Sequence, residues 1–404
     1  MRPATVRGFR DVLPAEAAER EIVSRRFAQT CSAWGYDLVE TPIVEDLVSL
    51  EAAAGSLEGI AFRLVDSDGR LLALRPDMTV PIARLVASRL TGDTGARRFR
   101  YAAEVFREHE SLRGQMRGFC QLGVELVGES GPAADAEVVA VLAEGLEAVG
   151  IREFTVSVGT VAVLHAIVAA AGEDDAWSAA VLEAAHNRNL VGLDQLARSA
   201  RNAAVAEALR VVPRIHGGAE AIDACRDATG GLGCDAVLED LAATWEILVA
   251  AGVSERVVVD FSVMRSFDYY TGLVVEAFAP GLGLPLGGGG RYDGVLASYD
   301  SPLPAAGFAL GLERVMIALV EQGVEVPVAP LDAVVGGEPV AAIREAAALR
   351  AAGKRVALST SSGAQLRAEA SRLGAVEALE AGAWGLTAVT PAEKDPTATQ
   401  GGAS

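Results

Sequence analysis

The side chains best suited to chemistry in this 404-residue chain sit in short polar blocks within otherwise apolar stretches. LeuArgProAspMetThrValProIleAlaArg spans 74–84, PheArgGluHisGluSerLeuArgGly spans 106–114, and CysGlnLeuGlyValGluLeuVal spans 120–127. Further along come MetArgSerPheAspTyrTyrThrGly at 264–272, GlyGlyGlyGlyArgTyrAspGly at 287–294 and GlyPheAlaLeuGlyLeuGluArg at 307–314. Arginine is a natural partner for carboxylate or phosphate, because its planar fork matches two oxygens at once. Taken singly these blocks say little. Arg107 alone reads as a salt-bridge partner on a hairpin, and the glycine run 287–290 as a tight turn. Other chemistries find less support. No G-x-G-x-x-G follows a strand, and there is no P-loop and no H-E-x-x-H. His109, His165, His186 and His216 are scattered, and Cys31, Cys120, Cys225 and Cys234 form no C-x-x-C pair. Neither a metal site, a disulfide framework nor a Ser-His-Asp triad is expected, and the cysteines suit a reducing cytoplasm.

Positioning these blocks takes a scaffold whose outline the sequence carries. Residues 9–35 read as a loop and then an amphipathic helix, with Asp11 and Pro14 ahead of apolar positions Ile22, Phe27 and Cys31. Residues 36–40 alternate like a strand stopped by Pro42, and 60–75 read as a hairpin turning at AspSerAspGly, 66–69. The pattern predicts a helix from Met78 to about Arg89, strands near 98–107 and 119–127, and a helix at 132–149 with Asp135 and Glu137 in its early turns. From about 160 to 252 the chain is helical and Ala/Leu-rich, broken by glycines at 217–218 and 230–231, which marks an inserted module. Strand character returns at 256–263 and 270–279, followed by the glycine cluster and an amphipathic helix from about Leu310 to Glu321. Pro327 and Pro330 mark a linker. The expected organisation is a core over 1–325, a small α/β domain over 331–390, and a disordered tail over 391–404.

Charge limits the partners. The formal net charge is −19, with two lysines, Lys354 and Lys394, and no basic run. A protein that grips a phosphate backbone usually carries basic surface to release counterions, so tRNA is not expected as a partner. No apolar run approaches the roughly 20 residues of a membrane helix, and the N-terminus carries no apolar block of the secretory kind.

The order and spacing of the blocks resemble those of class II aminoacyl-tRNA synthetases, in the histidyl branch. GlyPheArgAspValLeuPro at 8–14 and TrpGlyTyrAspLeuValGluThrProIleValGlu at 34–45 resemble the opening and motif one, which builds a dimer interface in that family. Residues 106–128 resemble motif two and 307–314 motif three, while 264–272 and 288–294 are similar to two segments peculiar to histidyl-tRNA synthetases. The resemblance covers about residues 8–320. It implies an α+β fold with a six- or seven-stranded antiparallel sheet flanked by helices, and a homodimer across motif one.

Within that family the wording points away from the enzyme. The resemblance puts Arg107 and Arg314 at ATP-phosphate positions, but His109 stands where the enzymes have Glu, and the 110–114 loop lacks the Arg-Pro-Gln that normally follows. AspMetThr at 77–79 replaces the usual Glu-Gly-Thr, and the C-terminal domain lacks the basic surface of an anticodon binder. These features resemble the non-catalytic paralogues that pair with a short-form catalytic ATP phosphoribosyltransferase and confer feedback inhibition by histidine. Arg265 matches an arginine important for amino-acid activation, which keeps an active histidine-tRNA ligase as the alternative. The resemblance implies a surviving histidine pocket. Asp77, Thr79 and Gln121 would hold the amino group, Arg107 and Arg265 would face the carboxylate, and Glu125, Tyr269, Tyr270 and Tyr292 would line the imidazole. No cofactor is expected.

Overall fold

The computed structural model of the chain describes residues 4–90, 92, 95–108, 116–263, 270–383 and 385–389. His109, the 110–114 loop, Arg265, Tyr269 and the 391–404 tail lie outside the described residues. The chain divides into two compact units, Met1–Val326 and Pro327–Ser404.

In the first unit, helix α1 (Pro14–Ala33) starts with proline at its first turn and Glu16 near its positive end. Its buried stripe is Val23, Phe27 and Cys31, each four residues from the next. Ile22, expected on that stripe, is only half-buried, because the four-residue step from Phe27 falls on Val23. Two short strands follow, β1 (Asp37–Leu38) and β2 (Val44–Asp46), then α2 (Leu47–Ala54) and the hairpin β3 (Arg63–Val65) and β4 (Leu71–Leu74). β2, β4 and β3 form a small antiparallel sheet. Helix α3 (Thr79–Arg89) leads to the long hairpin of β5 (Arg97–Phe106) and β6 (Gly118–Val127). Helix α4 (Pro132–Val149) begins at a proline and stops at Gly150, whose φ of 107° a side chain would resist.

Strand β7 (Thr155–Thr160) opens the inserted module of α5 (Val161–Ala171), α6 (Asp175–His186), α7 (Leu190–Ser199), α8 (Ala203–Val211), the two-residue β8 (His216–Gly217), α9 (Ala219–Ala228) and α10 (Asp235–Ala250). Thr160, Asp174, Asn189 and Asn202 cap the first four of these helices, each side chain accepting a backbone N–H of the first turn. The chain then returns through β9 (Val257–Asp260), β10 (Leu273–Phe278), β11 (Gly287–Arg291), α11 (Asp293–Ala297), β12 (Ala305–Gly311) and α12 (Leu312–Glu321).

The main sheet runs β1-β5-β6-β12-β11-β10-β7-β9-β8. Its centre, from β5 to β7, is antiparallel throughout, whereas β1 joins β5 and β9 joins β7 in parallel. The antiparallel sheet flanked by helices is therefore present, and short strands at both edges extend it beyond the six or seven expected. Leu122, Val124 and Leu126 of β6 and Phe308 and Leu310 of β12 pack with Phe27 of α1 and Leu142 and Leu146 of α4 in one buried cluster. The opposite face carries the polar site.

The second unit holds β13 (Ala333–Gly337), α13 (Pro339–Ala351), β14 (Val356–Leu358), α14 (Gly363–Arg372), β15 (Glu377–Gly382) and β16 (Gly385–Ala388). Its sheet runs β14-β13-β15-β16, parallel except for the last pair. Val335 and Ala346 pack on one side, and Val334 with Leu366 on the other. Among the described residues, no helix of the chain is long and apolar enough to cross a membrane.

Candidate functional site

Side chains alternate along a strand, so the residues of β6 between its buried leucines must face the other way. Gln121, Gly123 and Glu125 do so, opposite Ala103, Tyr101 and Phe99 of β5 and Gly311, Ala309 and Gly307 of β12. Above this floor, Asp77 accepts the N–H of Val80 at 3.2 Å and thereby fixes the first turn of α3. That turn aims Thr79 at the sheet. Its hydroxyl donates to Glu125 Oε1 at 2.8 Å, and the Tyr101 hydroxyl donates to the same oxygen at 3.1 Å. Tyr292, just past β11, donates its hydroxyl to Glu125 Oε2. The carboxyl is 1% exposed and is surrounded by three hydroxyl donors.

Asp77, Thr79, Arg107, Phe119, Gln121, Tyr270, Tyr292 and Arg314 line one cavity with about 620 Å³ of empty space, floored by glycines of β11 and β12. Arg107 donates from Nε to the Pro76 carbonyl at 2.9 Å, and its guanidinium lies 5.3 Å from the centre of the Phe119 ring. Arg314 donates to the Pro285 carbonyl at 2.6 Å. Gln121 is 5% exposed, and its Oε1 has no hydrogen-bond partner among the described residues. Buried polar atoms are rarely left in that state unless a ligand or water meets them.

The electrostatics follow from burial. Loss of water pushes the Glu125 carboxyl up to about 7, against the pull of the hydroxyls of Tyr292, Thr79 and Tyr101, and neighbouring Asp77 adds like charge. Asp77 is also raised by burial, opposed by the Arg107 guanidinium and by backbone N–H groups. The pocket thus carries acids and hydroxyls together with arginines, and Arg107 acts directly on Asp77.

A larger cavity, with about 800 Å³ of empty space, lies in the inserted module. Leu164, Ile167, Leu193, Leu209 and Phe261 line it, and apart from Thr160, Arg188 and Ser262 its walls are apolar. It offers no paired acid and base for reading a polar ligand. Among the described residues no cluster of three His, Cys, Asp or Glu is arranged to hold a metal ion.

Seven of the pocket positions suggested by the sequence line this one cavity: Asp77, Thr79, Arg107, Gln121, Tyr270, Tyr292 and Arg314. Glu125 sits against it through Thr79 and Tyr292. The glycine run is no turn. Residues 287–290 form β11, buried between β10 and β12, and a Cβ at Gly289 would collide with the β12 backbone. Tyr101 and Phe119 were not picked out from the sequence. The available signal for Tyr101 was Gly123, a side-chain gap in an apolar strand two residues before a buried acid, where a Cβ would strike the tyrosine hydroxyl.

An antiparallel sheet with helices on one face and this polar pocket on the other defines a class II aminoacyl-tRNA-synthetase-type fold. A family model described as histidyl-tRNA synthetase matches residues 8–315. The ATP phosphoribosyltransferase regulatory subunit of Moorella thermoacetica is 38% identical over 367 residues, which cover 90% of this chain and 94% of the relative. That of Symbiobacterium thermophilum is 40% identical over 357 residues, covering 86% and 89%. A crystal structure described as an ATP phosphoribosyltransferase regulatory subunit/histidyl-tRNA synthetase from Bacillus halodurans aligns with a TM-score of 0.83 at 29% identity, covering 93% of this chain and 97% of that one. The chain belongs to the histidyl-tRNA-synthetase-like family of ATP phosphoribosyltransferase regulatory subunits, and its role is regulatory.

Proposed function

We propose that this chain works in the cytoplasm as the required partner of a short-form catalytic ATP phosphoribosyltransferase subunit. Histidine held in the Glu125 pocket then signals through it to inhibit the first step of histidine biosynthesis. The observation that carries the reading is the buried Glu125 carboxyl with its three hydroxyl donors, beside Asp77 and the unsatisfied Gln121 Oε1. Such a site suits a ligand with an amine and a ring N–H, and it rejects analogues that leave its buried groups without partners. In this reading Asp77, Thr79 and Gln121 hold the α-amino group, and Arg107 with Arg265 meets the carboxylate. Glu125, Tyr269, Tyr270 and Tyr292 read the imidazole. Arg107 and Arg314 are the remaining ATP-site positions.

A homodimer is part of the proposal. Leu38 and Val48, in and just after the segment resembling motif one, are 55% and 70% exposed, which is apolar surface that a second copy would cover. Coupling is reciprocal, so the catalytic partner must change histidine affinity by the factor by which histidine changes partner binding.

The test is paired. Histidine-dependent ATP–pyrophosphate exchange is assayed on the purified protein, and histidine is titrated by calorimetry with and without a short catalytic phosphoribosyltransferase. No exchange together with partner-linked histidine binding is the expected result. Robust exchange would overturn it, restore the histidine-tRNA ligase alternative, and make Arg107, Arg265 and Arg314 catalytic.

A further inference from the structure

We propose that Tyr101 is a positioning residue for the pocket, fixing which edge of the Glu125 carboxylate is offered to a ligand's ring N–H. This rests on the reading of the pocket as a histidine site and adds to it a residue that does not line the cavity.

A carboxylate has about four lone-pair directions, two on each oxygen. Thr79 and Tyr101 both donate to Oε1, at 2.8 Å and 3.1 Å, and so fill it. Tyr292 takes one direction on Oε2. Among the described residues a single acceptor direction is left, on Oε2, the oxygen shared with the pocket-lining Tyr292. Removing the Tyr101 hydroxyl opens Oε1 and leaves Glu125 two ways to meet a donor.

The hydroxyl reaches Glu125 through a gap built for it. Tyr101 is buried on β5 directly opposite Gly123, and a Cβ at 123 would collide with its oxygen. It also lies 3.4 Å from the Phe308 carbonyl, farther than from Glu125. Its one proton therefore favours the ionised carboxylate, and it has a second acceptor to turn to when Glu125 is protonated. The groups facing Glu125 are Thr79 and Asp77 at the start of α3, Tyr101 on β5 and Tyr292 after β11. Arg107 acts on Asp77, and Tyr270 acts on Tyr101. Of these, Asp77 opposes ionisation of Glu125 and the three hydroxyls favour it.

The experiment compares the full-length protein with Tyr101→Phe, which keeps the ring and removes only the hydroxyl. An infrared pH titration without ligand follows the protonated-carboxyl band that Glu125→Gln abolishes. Losing one hydrogen bond to the charged form should raise the midpoint by about 1 pH unit in Tyr101→Phe. Histidine affinity should then fall several-fold at pH 7 and recover at pH 8.5. An unmoved midpoint, or a histidine affinity unchanged at pH 7, would mean that Tyr101 only fills space and would overturn the proposal. If the midpoint moves while the unaltered protein binds no histidine, the positioning role stands and the histidine reading fails.

Discussion

Leu122, Val124 and Leu126 of β6 sink into the cluster under α1 and α4, while Gln121, Gly123 and Glu125 of the same strand face the pocket. Both faces are almost fully buried, since Leu122 is 0% exposed and Glu125 is 1% exposed. The first face is filled with aliphatic side chains in mutual contact. The second is assembled from a carboxyl, hydroxyls and gaps left by glycine. The period of two along a strand thus lets one ten-residue segment hold the molecule together and read a ligand with separate sets of residues. Burial alone does not tell the two apart; the hydrogen-bonding inventory does.

Substitutions on opposite faces of the strand test that separation. Leu122→Ala should lower the free energy of unfolding by about 3 kcal/mol, the usual cost of an unfilled core position. Urea titration measures this, and histidine affinity of the folded protein should stay within about twofold. A tenfold loss of affinity would show that the two faces are not separable. Glu125→Gln should do the reverse and weaken histidine binding about 100-fold by calorimetry at pH 8, since it removes a hydrogen bond to a charged group. Its effect on stability depends on pH. The folded carboxyl titrates near 7, above its unfolded value, so ionisation opposes folding. The unaltered protein should lose stability as pH rises from the ordinary carboxylate range through about 7, and the variant should lack that part of the slope. Gly307→Ala should cross the separation, with about a tenfold loss of affinity and a lower urea midpoint together, because its Cβ would meet both the Glu125 carboxylate and the Val124 carbonyl of β6.

Much of this arrangement was legible in advance. The proline-led helices, the Asp-Gly hairpin and the long β5–β6 pair follow local rules of capping, turn chemistry and alternation. Strand β1 falls within the alternating stretch 36–40, whereas the two-residue edge strand β8 was too short to leave a periodic signal. Glycines 287–290 read as a turn because composition carries no information about neighbours, and only the collisions awaiting a Cβ show why the strand lacks side chains. Tyr101 was hidden for a related reason. Its contact with Glu125 spans two strands, and the pairing register that creates it is a tertiary fact.

The glycine strand also bears on how motion is distributed. A free tetraglycine is among the most disordered of peptides, and ordering it costs roughly 2–4 kcal/mol more than ordering four alanines. Here that peptide is β11, clamped by ladders to β10 and β12 in the middle of the main sheet. Its amides should open to solvent only when the sheet itself comes apart. The segment whose composition most resembles a flexible linker is thereby among the stiffest parts of the molecule, and it gives the pocket a floor of backbone that has no rotamers to change.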